Sequence, residues 1–258
     1  MRPTGNAAAR TWIVVAAAGR GTRFDAPMPK QYADLGGKPV LARTLDRLAV
    51  LESAGIFVAI AADDSRYDAA IGERAGVVAL RCGGATRGST VRAALAALAS
   101  RCAPGDWIAV HDAARPCVPR EALARLAGEL ADDATGGLLA LPVADTLKRA
   151  DAPGARSADA AARSGRAGVV PRVLRTEARD GWWLAQTPQM FRYRVLGEAY
   201  CRDGAAACTD EAEAVERLAA AGRCGQPRLV IGSAENIKIT RAADLALARS
   251  ILASQGEA

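Results

Sequence analysis

Aromatic residues make up only 4% of this 258-residue chain, and it contains a single histidine. Six cysteines (Cys82, Cys102, Cys117, Cys201, Cys208 and Cys224) form no C-x-x-C pair and no zinc-ligand spacing. They read instead as reduced thiols of a cytosolic protein. No apolar run approaches the roughly 20 residues needed to span a bilayer. The first ten residues, Met1 to Arg10, lack the apolar core of a signal peptide and read as a loose extension. No serine or cysteine is patterned as a nucleophile with His111, which reads as a hydrogen-bonded structural histidine. The net charge of +6 comes from basic residues interleaved with acids, without a stacking aromatic series. A small polyanionic substrate accounts for that excess as well as nucleic acid does. The sequence therefore points to a cytoplasmic protein that uses neither membrane nor nucleic acid.

Two familiar phosphate loops are also missing. Gly36-Gly37-Lys38 is followed by Pro39, and no glycine lies five residues before Gly37, so the Walker pattern is not met. In the dinucleotide pattern G-x-G-x-x-G, Gly19 and Gly21 fit but Phe24 replaces the third glycine, which close helix–strand packing needs. The acid expected about 20 residues further on is missing too, the next strand-end acids being Asp63 and Asp64. Hydride transfer with NAD is disfavoured.

What is present is a hydrophobic half and a charged quarter, ordinary for a globular α/β domain of this length. Short apolar runs alternate with helical patterns. Strands are expected at 13–17, 56–61, 77–81, 107–111, 138–142 and 228–231. Helices are expected at 40–51, 90–99 and 120–130, where leucines recur at helical spacing. This rhythm implies a Rossmann-like, mostly parallel sheet with helices on both faces, whose ligands bind beyond the carboxyl ends of the strands. From Lys148 to Gly181 the rhythm dissolves into an Ala-, Arg- and Gly-rich insertion. Its flanks, 144–149 and 169–177, look extended and suited to pair as a protruding hairpin. The expected organisation is an extension over 1–11 and one domain over 12–258, with an arm at about 144–181.

The segment WIVVAAAGRGTRFDAPMPKQY, residues 12–32, is a strand followed by a glycine-softened turn and the cations Arg23 and Lys30. Glycines let backbone approach a ligand closely, and the cations would oppose several negative charges. Other motifs follow strands. In His111-Asp112-Ala113-Ala114-Arg115-Pro116, Asp112 and Arg115 sit at a strand end, equally readable alone as a capped turn. Gly83-Gly84-Ala85-Thr86-Arg87-Gly88-Ser89-Thr90 opens a helix, with Ser89 or Thr90 as its cap or as a ligand of a base or phosphate. Thr187-Pro188-Gln189 and Thr209-Asp210-Glu211-Ala212 read alone as turn and helix-start signals. In Asn236-Ile237-Lys238-Ile239-Thr240, strand alternation turns Lys238 away from its isoleucine neighbours.

Taken in order, AAAGRGTRF, PKQY, GG-x-x-R, HDAARP, DTLKR, TPQ, TDEA and NIKIT strongly resemble the 2-C-methyl-D-erythritol 4-phosphate cytidylyltransferase family, from about residue 12 to residue 252. The resemblance implies a nucleotidyltransferase fold with a β-arm for dimerisation. It implies transfer of a cytidylyl group from CTP to a sugar-alcohol phosphate, with release of pyrophosphate. Arg23, Lys30, Arg179 and Lys238 would be catalytic. Ala16, Ala17, Ala18, Gly19, Arg20, Gly21, Gly83, Ala85, Arg87, Thr90 and Asp112 would bind the nucleotide. Asp112, Ala113, Arg115, Thr146, Thr187 and Thr209 would line the acceptor site. Magnesium or another divalent cation is implied, held by Asp112 or through phosphates alone. Thr146 and Arg179 would complete a neighbour's site in a homodimer. Because the insertion is longer than usual for the family, Arg172 and Arg175 are alternatives to Arg179. A ribitol 5-phosphate cytidylyltransferase shares most of these features and is the rival reading of the acceptor.

Overall fold

A computed structural model describes residues 9–19, 24, 28–151, 171–202 and 204–256 of the chain. The chain divides into two compact units, one within residues 1–140 and 185–258, the other within residues 141–184. The strands of the large sheet are β1 (Thr11–Ala16), β2 (Gly55–Ala61), β3 (Val77–Gly83), β4 (Trp107–Asp112), β5 (Gly136–Pro142), β8 (Trp183–Arg192) and β9 (Arg228–Ile231). They form one sheet in the order β3-β2-β1-β4-β8-β5-β9. The strands β6 (Leu147–Ala150) and β7 (Val173–Glu177) belong to the second unit and pair antiparallel, Leu147 opposite Glu177. The expected hairpin flanks thus do pair. Residues 152–170, between them, lie outside the described residues.

The sheet is mostly parallel because its apolar runs carry branched side chains on both faces, which only a doubly covered sheet can bury. Trp12 and Val14 enter one core layer, while Ile13 and Val15 enter the other. The first layer is covered by α3 (Arg87–Leu98), α5 (Tyr193–Cys201) and α6 (Glu211–Ala220), the second by α1 (Val40–Leu48) and α4 (Arg120–Leu130). A shorter helix, α2 (Tyr67–Ile71), contributes Tyr67 to the second layer. The last helix, α7 (Asp244–Ser254), packs Ala248 and Leu252 into a third cluster with Phe24, Leu35 and Ile239. β1 already begins at Thr11, and Arg10 is tied to Asp106 through its backbone N–H (3.0 Å) and its guanidinium (3.1 Å). Order therefore reaches two residues further toward the amino terminus than the composition suggests.

Three expectations need correction. Thr187-Pro188-Gln189 is no turn but lies inside β8, which runs antiparallel to β4 with Ala109 opposite Met190 and Val110 opposite Gln189. Pro188 hid this strand, since proline is normally excluded from central strands. Pairing with β4 ends at Gln189, so the missing N–H falls beyond the paired stretch. The helix expected from residue 90 starts at Arg87, and its cap is Thr86 rather than Ser89 or Thr90. Thr86 Oγ1 accepts from the Ser89 N–H (3.0 Å) and Ser89 Oγ accepts from the Thr86 N–H (2.9 Å), a reciprocal capping box. Residues 236–240 form no strand, although Ile239 is buried and Lys238 exposed, as the alternation required.

At Gly83 the end of β3 lies tightly against the backbone of β2 and the residues after β1. A Cβ there would stand 2.3 Å from the Ala18 Cβ and 2.8 Å from the Ile60 carbonyl oxygen. Backbone and a short side chain cannot swing away, so Gly83→Ala should cost about 1–3 kcal/mol of stability. Urea unfolding measures this, and an unchanged midpoint would show that the strand ends can part freely.

Candidate active site

The carboxyl ends of β1 to β4 open into a cavity of about 920 Å³. Its wall is made by Ala16–Gly19 after β1, Ala61–Asp63 after β2, Gly83–Arg87 and Thr90 after β3, and Asp112–Ala114 after β4. Lys30, Gln31, Thr209, Lys238 and Thr240 close the ring. Among these described residues there is no serine, cysteine or histidine. The cavity thus offers backbone amides, threonine hydroxyls, cations and carboxylates.

Asp112 is its electrostatic centre. Oδ1 accepts from Arg87 Nε at 2.9 Å, and Oδ2 lies 2.8 Å from Lys238 Nζ and 3.6 Å from Arg115 Nε. Burial alone would raise the carboxyl's pKa, but Arg87, Lys238 and Arg115 together hold it far below the usual carboxylate range. Arg87 is itself gripped from the far side by Glu211, Nη1 to Oε1 at 2.5 Å and Nη2 to Oε2 at 2.9 Å. Burial disfavours the guanidinium charge, yet Glu211 and Asp112 reverse that and raise its pKa above the ordinary value. Glu211 has no solvent exposure and also accepts from the Tyr200 hydroxyl at 3.3 Å. As the first residue of α6 it meets the positive end of the helix dipole.

His111 lies beneath this cluster, fully buried. Its Nε2 is 3.0 Å from the Arg115 carbonyl oxygen, which can only accept, so that nitrogen carries the proton. Nδ1, 3.1 Å from Thr187 Oγ1, then accepts from the hydroxyl, which in turn accepts from the Asp112 N–H at 3.1 Å. The neutral ring thus orders Thr187 and the Asp112 peptide, which is the structural part read for it in the sequence. Thr187 lies behind the wall rather than on it, because its hydroxyl is taken up by these two partners. Arg115, too, is directed inward, donating from Nη1 to the Asn236 carbonyl oxygen at 2.6 Å.

The motifs interlock. Gln189 Nε2 donates to Asp210 Oδ2 (2.9 Å) and its Oε1 accepts from the Ala212 N–H (2.8 Å), binding TPQ to TDEA. Asp210 caps α6 through the Glu213 N–H, as its position suggests. Buried Asn236 donates to the Thr187 carbonyl oxygen (2.8 Å) and Gln186 Oε1 (3.2 Å), binding NIKIT to TPQ. Thr90 Oγ1 accepts from the Gly84 N–H at 3.0 Å and donates to the Thr86 carbonyl oxygen at 2.9 Å, so it shapes the loop from within.

Of the residues read as functional, Ala16–Gly19, Lys30, Gly83, Ala85, Arg87, Thr90, Asp112, Ala113, Thr209 and Lys238 share the one cavity wall. Arg115 and Thr187 support Asp112 from behind. Arg20, Gly21 and Arg23 lie outside the described residues. Thr146 and Arg179 belong to the second unit, both exposed, with the Arg179 guanidinium on the Ala144 carbonyl oxygen. Sequence reasoning gave no role to Gln31, Glu211 or Asn236. Each stands inside or beside a motif already quoted, but their spacing alone does not separate them from surface polar residues.

Among the described residues no group of three His, Cys, Asp or Glu side chains is disposed to hold a metal ion. The cavity wall carries two carboxylates, Asp63 and Asp112, of which Asp112 is held ionised by the cations around it. That fits a hard cation such as magnesium, commonly held by one or two carboxylates with substrate phosphates and water completing its shell.

Burial drives the His111 pKa down from 6.5 to about 4. An unfolded chain therefore takes up this proton below about pH 6.5, while the folded one resists until about pH 4. The stability owed to the neutral ring is complete above the higher value and is lost as pH falls toward the lower one, by roughly 3 kcal/mol. His111→Gln should flatten that part of the stability–pH curve measured by urea unfolding. Equal acid sensitivity in both proteins would contradict the buried neutral ring.

Residues 11–254 match the family model IspD: 2-C-methyl-D-erythritol 4-phosphate cytidylyltransferase. A protein of that name from Dechloromonas aromatica is 47% identical over 250 residues, covering 94% of this chain and 97% of its own. Another from Chromobacterium violaceum is 45% identical over 245 residues, covering 95% and 98%. The crystal structure of the Francisella tularensis 2-C-methyl-D-erythritol 4-phosphate cytidylyltransferase superposes with a TM-score of 0.73 at 32% identity, covering 95% of this chain and all of that one. Matched by this family's model over residues 11–254 and by relatives of 45% and 47% identity over nearly all of its length, this chain belongs to the IspD family of 2-C-methyl-D-erythritol 4-phosphate cytidylyltransferases.

Proposed function

We propose that the protein transfers the cytidylyl group of CTP to 2-C-methyl-D-erythritol 4-phosphate, forming CDP-methylerythritol and pyrophosphate for isoprenoid precursor synthesis. The supporting observation is the cavity at the carboxyl ends of β1–β4, lined by Lys30 and by the ionised Asp112 with its partners Arg87 and Lys238. The names of the Dechloromonas and Chromobacterium relatives favour this acceptor over ribitol 5-phosphate. Free thiols on all six cysteines suit a cytoplasmic setting.

In this reaction an acceptor phosphate oxygen attacks the α-phosphorus in line. The bond from that phosphorus to the bridging oxygen breaks, and pyrophosphate leaves with the electron pair. No protein nucleophile takes part. The obstacle is repulsion between two polyanions, so the protein acts by positioning and by neutralising charge. Lys30 and Lys238 supply that neutralisation from one connected wall, since Lys30 Nζ donates to the carbonyl oxygen of Ile239, the residue after Lys238. Arg23 joins them by motif match. The backbone of Ala16–Gly19 cradles the phosphates, and Arg20 and Gly21 join it by motif match alone. Gly83, Ala85, Arg87 and Thr90 form the wall toward the base, while Ala113, Arg115, Thr187 and Thr209 shape the acceptor side. Asp112 is the residue that would hold magnesium, which when bound offsets phosphate charge.

Arg179 and Thr146 serve the acceptor in a neighbouring copy of the chain, making the working unit a homodimer through residues 144–181. Two-stranded pairing such as that of β6 and β7 is marginal alone. Val173, Leu174, Trp182 and Leu184 of this unit are each more than half exposed, which favours burial against a partner of the same kind.

Purified protein given CTP, magnesium and methylerythritol 4-phosphate should release pyrophosphate, and ribitol 5-phosphate should not replace the acceptor. Turnover with ribitol 5-phosphate alone would reverse the acceptor assignment. Lys30→Ala and Lys238→Ala should each lower kcat by about 100- to 1000-fold, as loss of a preorganised charge donor does. Mixing Lys30→Ala with Arg179→Ala should restore about a quarter of normal activity. Half of the dimers are then mixed, each with one intact site. Strict absence of complementation would place Arg179 in its own subunit's site, and full activity of Arg179→Ala alone would place it in none.

A further inference from the structure

Lys30, Gln31 and Tyr32 make one 3-10 turn. With three residues per turn, successive side chains diverge by about 120°. Lys30 reaches the Ile239 carbonyl oxygen at 2.9 Å, and the Tyr32 hydroxyl donates to Asp64 Oδ2 at 2.7 Å. Gln31 goes a third way: its Nε2 donates to the carbonyl oxygens of Ala17 (2.9 Å) and Gly19 (3.2 Å). Its side chain is buried, 4% exposed, while the residue contributes to the cavity wall beside Ala16–Gly19.

A trans peptide directs its N–H opposite its C=O. Drawing the Ala17 carbonyl toward Gln31 therefore turns the Ala18 N–H away from Gln31. It also removes from the loop's ligand edge a carbonyl oxygen that would repel phosphate. Only a neutral side chain with two donors on one nitrogen can hold two carbonyls without adding charge. Leucine has no donor, ionised glutamate none either, and lysine would add a competing cation.

We propose that Gln31 is a positioning residue for the triphosphate of the nucleotide, acting through the Ala17–Gly19 backbone rather than by touching the reacting atoms. This rests on the CTP reading above. Loss of Gln31 therefore weakens ground-state and transition-state binding of the nucleotide together and leaves the chemical step itself unchanged.

The test is Gln31→Leu in the full chain, with steady-state kinetics in both substrates and equilibrium dialysis of CTP and of cytidine. KM for CTP should rise about tenfold, the loss expected for one or two backbone-fixing hydrogen bonds. kcat, KM for the acceptor and the affinity for cytidine should stay within about twofold, because the loop serves phosphate rather than base. Gln31→Asn keeps the amide but withdraws it by one methylene, and should give the same pattern at smaller size. It carries the test if the leucine variant does not fold. A fall in kcat at constant KM for CTP, or equal weakening of cytidine and CTP, overturns the proposal. Absence of CTP turnover in the unaltered protein would instead overturn the function, so the two failures are distinguishable.

Discussion

A carboxylate removed from water costs several kcal/mol unless opposite charge meets it at close range, and Asp112 is met by three cations. Those cations come from separate parts of the chain. Arg87 stands at the start of α3, Arg115 on the loop after β4, and Lys238 on the stretch between β9 and α7. The charge on Asp112 is therefore what draws these segments to one point. Each cation is also kept from its neighbours' repulsion by the same carboxylate. Loss of either arginine would leave the buried carboxylate short of its inner partners, so the site and the packing around it stand or fall together.

The direction of β8 explains why TPQ belongs to this site at all. In a parallel sheet only carboxyl ends reach the ligand, so residues earlier in those strands cannot. β8 runs antiparallel to β4, and its earlier half therefore passes the carboxyl end of β4. That brings Thr187 against the Asp112 peptide and Gln186 and Gln189 to the partners that hold the later loops. Polar residues are buried here because each has a hydrogen-bond partner on a neighbouring segment. The same amides in an unpartnered strand would be costly.

This is also where the sequence was least legible. Six of the seven strands of the large sheet, β1 to β5 and β9, are apolar runs that end close to the residues expected, since their apolar side chains have no other means of burial. β5 starts two residues before its expectation, at Gly136. β8 mixes glutamine, threonine and proline, and local propensity speaks for a turn. Only the tertiary partners make it a strand. Of the later helices only the start of α6 was legible, from the cap at Asp210, while α5 and α7 were not read from the sequence. Of the site, the charged and glycine motifs were visible because their chemistry is unusual at strand ends. Glu211 and Gln31 were not, because an acid in a first helical turn and a glutamine near a lysine are ordinary until their partners are known.

Glu211 shows how the protein divides its positive charge. Arg87 faces the cavity, but Glu211 occupies two of its nitrogens and Asp112 a third. Its charge is largely spent within the protein, and it serves as a rigid strut between α3, β4 and α6. Lys238 shares Asp112 with two arginines, and its side chain remains 39% exposed against 22% for Arg87. A phosphate entering the cavity can therefore recruit Lys238 without dismantling the buried network, since Asp112 keeps both arginines when the lysine turns outward. A site that must repeatedly accept and release polyanions needs this asymmetry. Were every cation free, the empty cavity would be unstable through mutual repulsion. Were every cation neutralised, nothing would oppose the phosphate charge.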